Sequence, residues 1–157
     1  MRGARAWAFL AAPLMLAALP AQAQMVTSAN PEGVAAVLRD RGYKAELTTD
    51  KQGDPLIKSA ANGYTFAILF FGCENHKACT SVQFYAGFTR KGLPVDKINE
   101  WNRTKRFGRA YIDGIGDPVV EMDVNLEPGG MPASLFADTI DLWDSLVGAF
   151  AKVAFAK

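Results

Sequence analysis

The chain has 157 residues, a formal net charge of +1 and 50% hydrophobic residues. This length is sufficient for one domain with a proper hydrophobic core. A near-neutral chain has no general electrostatic attraction to nucleic acid, so we expect no nucleic-acid partner. The one dense basic stretch consists of Arg103, Lys105, Arg106 and Arg109. Such a stretch is typical of a solvated helix end, where cations suit the negative end of the helix dipole.

Residues 1–23 have the pattern of an export signal. Arg2 and Arg5 form a basic start, an apolar run follows from Trp7 to Leu19, and Ala21-Gln22-Ala23 offers the small residues that signal peptidase reads. We therefore expect cleavage before Gln24 and a periplasmic or secreted protein without stable membrane insertion. Because the lost segment has two arginines and no acidic residue, cleavage changes the net charge from +1 to −1. The alternative is an uncleaved N-terminal anchor.

The mature chain, residues 24–157, is expected to form one domain that begins with a helix. Asn30 can cap this helix, Pro31 suits its first turn, and Gly42 can end it in a left-handed conformation. After Gly42 the hydrophobic period changes to two. This change predicts strands over residues 43–48 and 55–60.

The next two strands, residues 64–71 and 80–88, are predicted to form a β-hairpin. The first of them is apolar or aromatic on both faces, which predicts a central strand that is covered on both sides. In the second strand Val82 and Phe84 should face inward, whereas Tyr85 should face outward.

A second helix is predicted after Gly92 and Pro94. Its inner face should carry four residues at helical spacing: Val95, Ile98, Trp101 and Asn102. Trp101 and Asn102 are therefore expected to be structural residues. Because a buried amide must be hydrogen-bonded, Asn102 should connect this helix to a neighbouring backbone.

Two more strands, residues 106–113 and 119–126, precede a long C-terminal helix from Pro132. The helix has a wide apolar stripe that favours packing on the sheet, with a homodimer seam as the alternative; the stripe contains Phe136, Ile140, Trp143, Val147, Phe150 and Ala154. The order α-β-β-β-β-α-β-β-α predicts an α+β fold in which helices pack on an antiparallel sheet.

Cys73 and Cys79 are the only two cysteines and flank the tip of the predicted hairpin. If the strands pair so that the cysteines face each other, their separation suits a disulfide. The alternative is zinc binding, because His76 lies between them and Glu74 is nearby. Thiolates of an exported protein tend to oxidise first, and no second Cys/His pair completes a site. We therefore expect a disulfide and no bound metal.

The sequence offers little for catalysis. His76 is the only histidine, and the Gly-x-Ser-x-Gly motif of a nucleophilic serine is missing. Asp113 and Asp117 fall in a predicted turn, where aspartate is a common turn residue. Glu121 and Asp123 are expected on a solvated strand face. We therefore predict no catalytic residues, no enzyme activity and no cofactor.

The run Ile98-Asn99-Glu100-Trp101-Asn102-Arg103, followed by Arg106 to Tyr111, resembles the YbjN domain family. So do the segment from Gly116 to Asp123 and the C-terminal helix with Leu142-Trp143. The resemblance covers about residues 30–155. Members of this family are labelled bacterial sensory transduction regulators and are similar in fold to type III secretion chaperones. The resemblance therefore implies binding of a protein rather than turnover of a small molecule.

Two functions of different classes remain open. The favoured function is an exported, non-catalytic protein-binding or regulatory module of the YbjN type, acting on a protein partner that the sequence does not identify. The alternative is a periplasmic small-molecule or metal binder that uses the aromatic interior and the loop around His76. If the chain binds a partner, we expect the contact at the C-terminal helix around Trp143 and at the outer sheet face around Tyr85.

Overall fold

The computed structural model describes residues 24–156, so the predicted export signal lies outside the described residues. None of the helices in this range is long and apolar enough to cross a membrane. The described elements are, in chain order, β1 (Met25–Val26), α1 (Pro31–Asp40), β2 (Glu46–Thr49), β3 (Pro55–Ala61), β4 (Tyr64–Phe71), β5 (Ser81–Gly87), α2 (Val95–Thr104), β6 (Arg109–Ile112), β7 (Pro118–Asn125), β8 (Met131–Pro132) and α3 (Ala133–Ala154).

Six of the strands form an antiparallel sheet in the order β2-β3-β4-β5-β7-β6. This arrangement confirms the predicted α+β fold with helices on an antiparallel sheet. The sequence did not predict β1 and β8, which pair with each other in a separate two-stranded sheet. Each of them has two residues, too few to show an alternating pattern.

The first helix has the caps that its sequence predicts. The Asn30 side chain accepts a hydrogen bond from the Gly33 amide (3.1 Å), and Pro31 occupies the first helical position. Gly42 follows the helix with a φ of +84°, in the left-handed region that favours glycine. Val34 and Leu38 are fully buried on the inner side of the helix.

The main core lies between α3 and one face of the sheet, which we call the inner face. All six residues of the predicted α3 stripe are fully buried, as the sequence predicts. The Trp143 ring lies 5.9 Å from Phe66 of β4 and 5.5 Å from Phe84 of β5, measured between ring centroids. Such aromatic pairs are worth about 0.5–1.5 kcal/mol beyond the area that they bury.

The opposite, outer face of the sheet is not covered by a helix in the described part of the chain. The prediction that β4 is covered on both sides is therefore wrong: Phe71 is exposed, and Ala67 and Leu69 are only half-buried. On this face Ala67 lies between its register partners Lys58 and Tyr85. Long side chains beside a small apolar residue can partly shield it from water. An apolar residue such as Ala67 therefore does not indicate that a helix covers this face.

Helix α2 packs beside β6 at the edge of the sheet. Ile98 and Trp101 are buried there, as predicted. Val95 was also predicted on the inner face, but it is 61% exposed. Val95 is the first residue of α2, whereas the hydrogen bonds that join the helix to β6 are made near its end, at Asn102.

Candidate partner-binding surface

The outer edge of β6 is closed by α2. The Asn102 side chain donates a hydrogen bond to the Ala110 carbonyl (3.0 Å) and accepts one from the Ala110 amide (2.8 Å). Its amide thus occupies the place of a neighbouring strand. Asn102 makes the backbone connection that its position predicts, but it is exposed, so the predicted burial is wrong. The buried Trp101 supports the same edge, since its indole donates to the Gly108 carbonyl (3.1 Å).

The other edge of the sheet, at β2, is open. The Asp50 amide donates a hydrogen bond to the Asp54 carbonyl (2.9 Å). In an antiparallel pair every second residue is hydrogen-bonded to the partner strand, so Thr48 and Glu46 also bond to β3. Thr49 is paired with Pro55, which has no amide hydrogen, and this agrees with the same alternation. The backbone N–H and C=O groups of Leu47 and Thr49 therefore point away from the sheet. Within the described residues, no backbone group pairs with them.

A groove of about 440 Å³ lies beside this open edge. It is bounded by the start of α1, by β2 and its turn, and by the tip of the β4–β5 hairpin; its lining residues are Asn30, Pro31, Glu32, Leu47, Thr48, Thr49, Gly53, Pro55 and His76. The side chain of Leu47 is exposed here. An extended segment along β2 would have side chains next to an apolar floor.

A cross-linked loop forms one wall of the groove. Cys73 and Cys79 are joined at a sulfur–sulfur distance of 2.09 Å, in the pairing that the sequence predicts. The Ser28 hydroxyl donates to the Cys79 carbonyl (2.5 Å), and the His76 ring contacts the Asp54 carboxylate (2.8 Å). The first contact holds the loop to the segment before α1, and the second holds it to the turn between β2 and β3. No cluster of three or more possible metal-binding side chains occurs within residues 24–156.

We expect the Cys73→Ser variant to fold but to lose stability. Without the cross-link the short loop regains conformational freedom in the unfolded chain. In the chain-entropy model this lowers the free energy of unfolding by about 2 kcal/mol. The measurement is the free energy of unfolding under non-reducing conditions, together with thiol titration of the denatured wild-type protein. Two free thiols in the wild-type protein, accompanied by stoichiometric zinc, would show that the disulfide assignment is wrong.

The two residues predicted for a partner surface lie in different environments. Tyr85 lies on the outer sheet face, half-buried, and lines a shallow cavity of about 440 Å³ together with Lys58, Thr65, Ala67 and Gly87. Trp143 is 0% exposed and lies inside the core. Its prediction as a surface residue is therefore wrong, because the apolar stripe of α3 is buried against the sheet and, at Phe150, against Trp101 of α2. The role of Tyr85 stays a prediction.

The outer face also holds a charged cluster that the sequence interpretation missed. Glu121 was expected to be solvated, but it is 3% exposed. It forms an ion pair with Arg109 and accepts a hydrogen bond from the Tyr111 hydroxyl (3.3 Å). The pairing of β6 with β7 places Arg109 opposite Glu121. The cluster could have been predicted from the sequence if these two strands had been aligned in this register. Burial of the phenol, and then the charge of Glu121, raise the pKa of Tyr111 to about 12.

The raised pKa of Tyr111 predicts a loss of stability at high pH. The neutral phenol is favoured in the fold, because its pKa there is about 12, against about 10 for an unfolded tyrosine. The contribution of the neutral Tyr111 phenol to stability is therefore complete below a pH of about 10. It is lost as the pH rises through the pKa of the folded state. The pKa values of Tyr43 and Tyr85 are also raised, chiefly by burial, so the diagnostic signal in a spectroscopic titration of tyrosinate is the ionisation near pH 12, which should be missing from Tyr111→Phe. An unchanged titration in this variant would contradict the assignment.

Comparisons with known proteins give partial matches to apolipoprotein A-I. Apolipoprotein A-I of Balaenoptera acutorostrata scammoni and of Physeter macrocephalus are each 34% identical to this chain over 58 residues. The match covers 37% of this chain, which spans about a fifth (22%) of the length of these relatives.

A comparison of folds finds a type III secretion chaperone. The Yersinia pestis chaperone SycH, solved in complex with a stable fragment of YscM2, matches with a TM-score of 0.50 and 10% sequence identity. The alignment covers 76% of this chain and 98% of that chain. At this identity the likeness shows the fold alone, and it confirms the predicted chaperone-like architecture.

The family comparison covers most of the described chain. Residues 30–155 match the model of the YbjN family, whose description is "Putative bacterial sensory transduction regulator". The matched range includes the cross-linked loop, the closed edge at Asn102 and the open edge at β2. This chain belongs to the YbjN family.

Proposed function

We propose that this chain is an exported, non-catalytic module that binds a protein partner and acts as a regulator through that contact. The observation that carries the proposal is the open edge of β2. Unpaired N–H and C=O groups of an edge strand are ready to pair with an extended chain. A partner segment would add to the sheet as a seventh strand.

The surroundings of the edge favour such a strand. Main-chain hydrogen bonds to Leu47 and Thr49 would supply affinity that does not depend on the partner's sequence. Specificity would come from the side chains of the added strand that lie over the neighbouring groove, as in other cases of strand addition. Leu47 and Pro31 offer that segment an apolar contact.

Family and fold support a binding role. The family description names a regulator, and the similar chaperone was solved in complex with a fragment of a second protein. The compartment is part of the proposal: the export-signal pattern of residues 1–23 and the disulfide between Cys73 and Cys79 both suit an oxidising environment. Mass spectrometry of the exported protein should find a chain that starts at Gln24. An intact Met1 on membrane-bound protein would favour the anchor instead.

The test removes one outward-pointing amide while β2 stays paired with β3. Thr49→Pro deletes the N–H that points away from the sheet, and proline is tolerated at such edge positions. Thr49→Val, the matched control, keeps the N–H and changes only the side chain. We expect Thr49→Pro to lose the partner that wild-type protein and Thr49→Val retain from periplasmic extract, at similar melting temperatures.

Hydrogen exchange identifies the contact directly. The amides of Leu47 and Thr49 should exchange fast in the free protein and slowly in the complex, whereas that of Thr48 should be protected in both states. Equal binding by Thr49→Pro and Thr49→Val would contradict strand addition. If Tyr85→Glu alone abolishes binding, the contact lies on the outer face. Slow exchange at Leu47 that depends on protein concentration would indicate a second copy of this chain as the occupant.

A further inference from the structure

A second surface lies at the opposite edge of the sheet, in the loop that joins α2 to β6. We call residues 105–108 the Phe107 loop. Phe107 has a φ of +70° and is 61% exposed. A bulky residue is strained in this left-handed region, and such strain persists only where the surroundings impose it. Here Gly108 is held by the Trp101 indole (3.1 Å) and by the Arg106 carbonyl (2.9 Å).

The Phe107 loop is also the centre of the basic stretch. Arg103 forms an ion pair with Glu100, and Arg109 forms one with Glu121. Within residues 24–156, Lys105 and Arg106 have no acidic partner. The Lys105 ammonium instead lies 5.9 Å from the Trp101 ring centroid, and the Arg106 guanidinium lies 4.8 Å from that of Phe107. Two cations without an acidic partner therefore lie in the same loop as an exposed aromatic ring, and one of them, Arg106, lies over that ring.

We propose that the Phe107 loop docks on an anionic lipid surface. Lys105 and Arg106 face the lipid phosphates, and the Phe107 ring enters the boundary between headgroups and acyl chains. This combination of cations with an aromatic side chain is the chemistry by which proteins bind the membrane interface. A fluid lipid surface can adapt to a single projecting ring, whereas an acidic protein partner would need a shaped site for it. With two cations and one ring, the binding is weak and reversible.

The experiment measures co-sedimentation of the processed chain, from Gln24, with two kinds of vesicle. One contains phosphatidylglycerol in phosphatidylcholine, and the other contains phosphatidylcholine alone. We expect binding to the anionic vesicles only. Neutralising Lys105 or Arg106 to serine should lower the partition coefficient by about fivefold each. Phe107→Gly should lower it by roughly tenfold, without a fall in melting temperature, because glycine accepts the positive φ.

The matched control is Ile115→Gly, which removes an exposed apolar side chain in the β6–β7 turn, away from the Phe107 loop. It should bind the vesicles as the wild-type protein does. Equal binding of both vesicle types, wild-type binding by Phe107→Gly, or binding to polyglutamate but not to vesicles would each overturn the proposal. Because Thr49→Pro leaves this loop intact, it should still bind vesicles, so the two proposals can fail separately.

Discussion

Replacement of Trp143 by alanine is expected to lower the free energy of unfolding by about 3–5 kcal/mol. Trp143 is fully buried and packs against the rings of both Phe66 and Phe84, so truncation leaves a cavity where α3 meets the sheet. Neighbouring rings that are fixed on two strands can close such a cavity only in part. Chemical denaturation, monitored by far-ultraviolet circular dichroism, measures the loss.

Two further variants separate packing from other effects. The Trp143 indole N–H has no hydrogen-bond partner within the described residues. Neither Trp143→Phe nor Trp143→Ala therefore breaks a hydrogen bond, and Trp143→Phe should cost clearly less because it leaves a smaller cavity. Leu135→Ala, on the same helix at a position that is 52% exposed, should change stability by less than about 0.5 kcal/mol. A mild effect of Trp143→Ala would mean that α3 does not hold the sheet as described.

Hydrophobic periodicity predicted which residues share a face but not what covers that face. The α3 stripe was correctly assigned to the core, yet Trp143 of that same stripe was also proposed for a partner surface. One residue cannot do both, and only the three-dimensional packing decides between them. The outer side of β4 shows the same limit, since Leu69 and Phe71 are apolar but are not covered by a second layer.

Local turn and cap signals were more reliable because they depend on neighbouring residues. The dipeptide Asn62-Gly63 in the sequence is typical of a tight hairpin turn, and both residues have the positive φ values that such a turn requires. The sequence could not show that the Asn62 amide also donates to the Asp144 carbonyl (2.8 Å), 82 positions away. Contacts of this kind depend on how the helices and strands are arranged in three dimensions.

Strand order also explains why the open edge was not predicted. β5 pairs with β7 rather than with β6, the next strand along the chain, and this leaves β6 and β2 at the two edges. Once the order is known, the difference between the edges is visible in single residues: Asn102 occupies the backbone groups of one, and nothing described occupies those of the other. The proposed binding of a partner at β2 therefore rests on topology rather than on a motif.

Asn102→Leu is expected to destabilise the protein by about 1–3 kcal/mol, although leucine is more apolar and a better helix former. The amide makes two hydrogen bonds to the backbone of Ala110, a residue that is itself buried. Leucine can make neither bond, and its side chain would hinder water from replacing them. The measurements are the free energy of unfolding and the hydrogen-exchange rate of the Ala110 amide, which should increase.

Asn99→Leu provides the matched control, since Asn99 is exposed on the same helix and makes no side-chain hydrogen bond within the described residues. This substitution should change stability by less than about 0.5 kcal/mol. If both variants cost the same, the effect belongs to the helix and not to the closed edge. If Asn102→Leu alone also increases self-association, then the asparagine protects β6 from pairing with other chains, because an unpaired edge strand is a site for association.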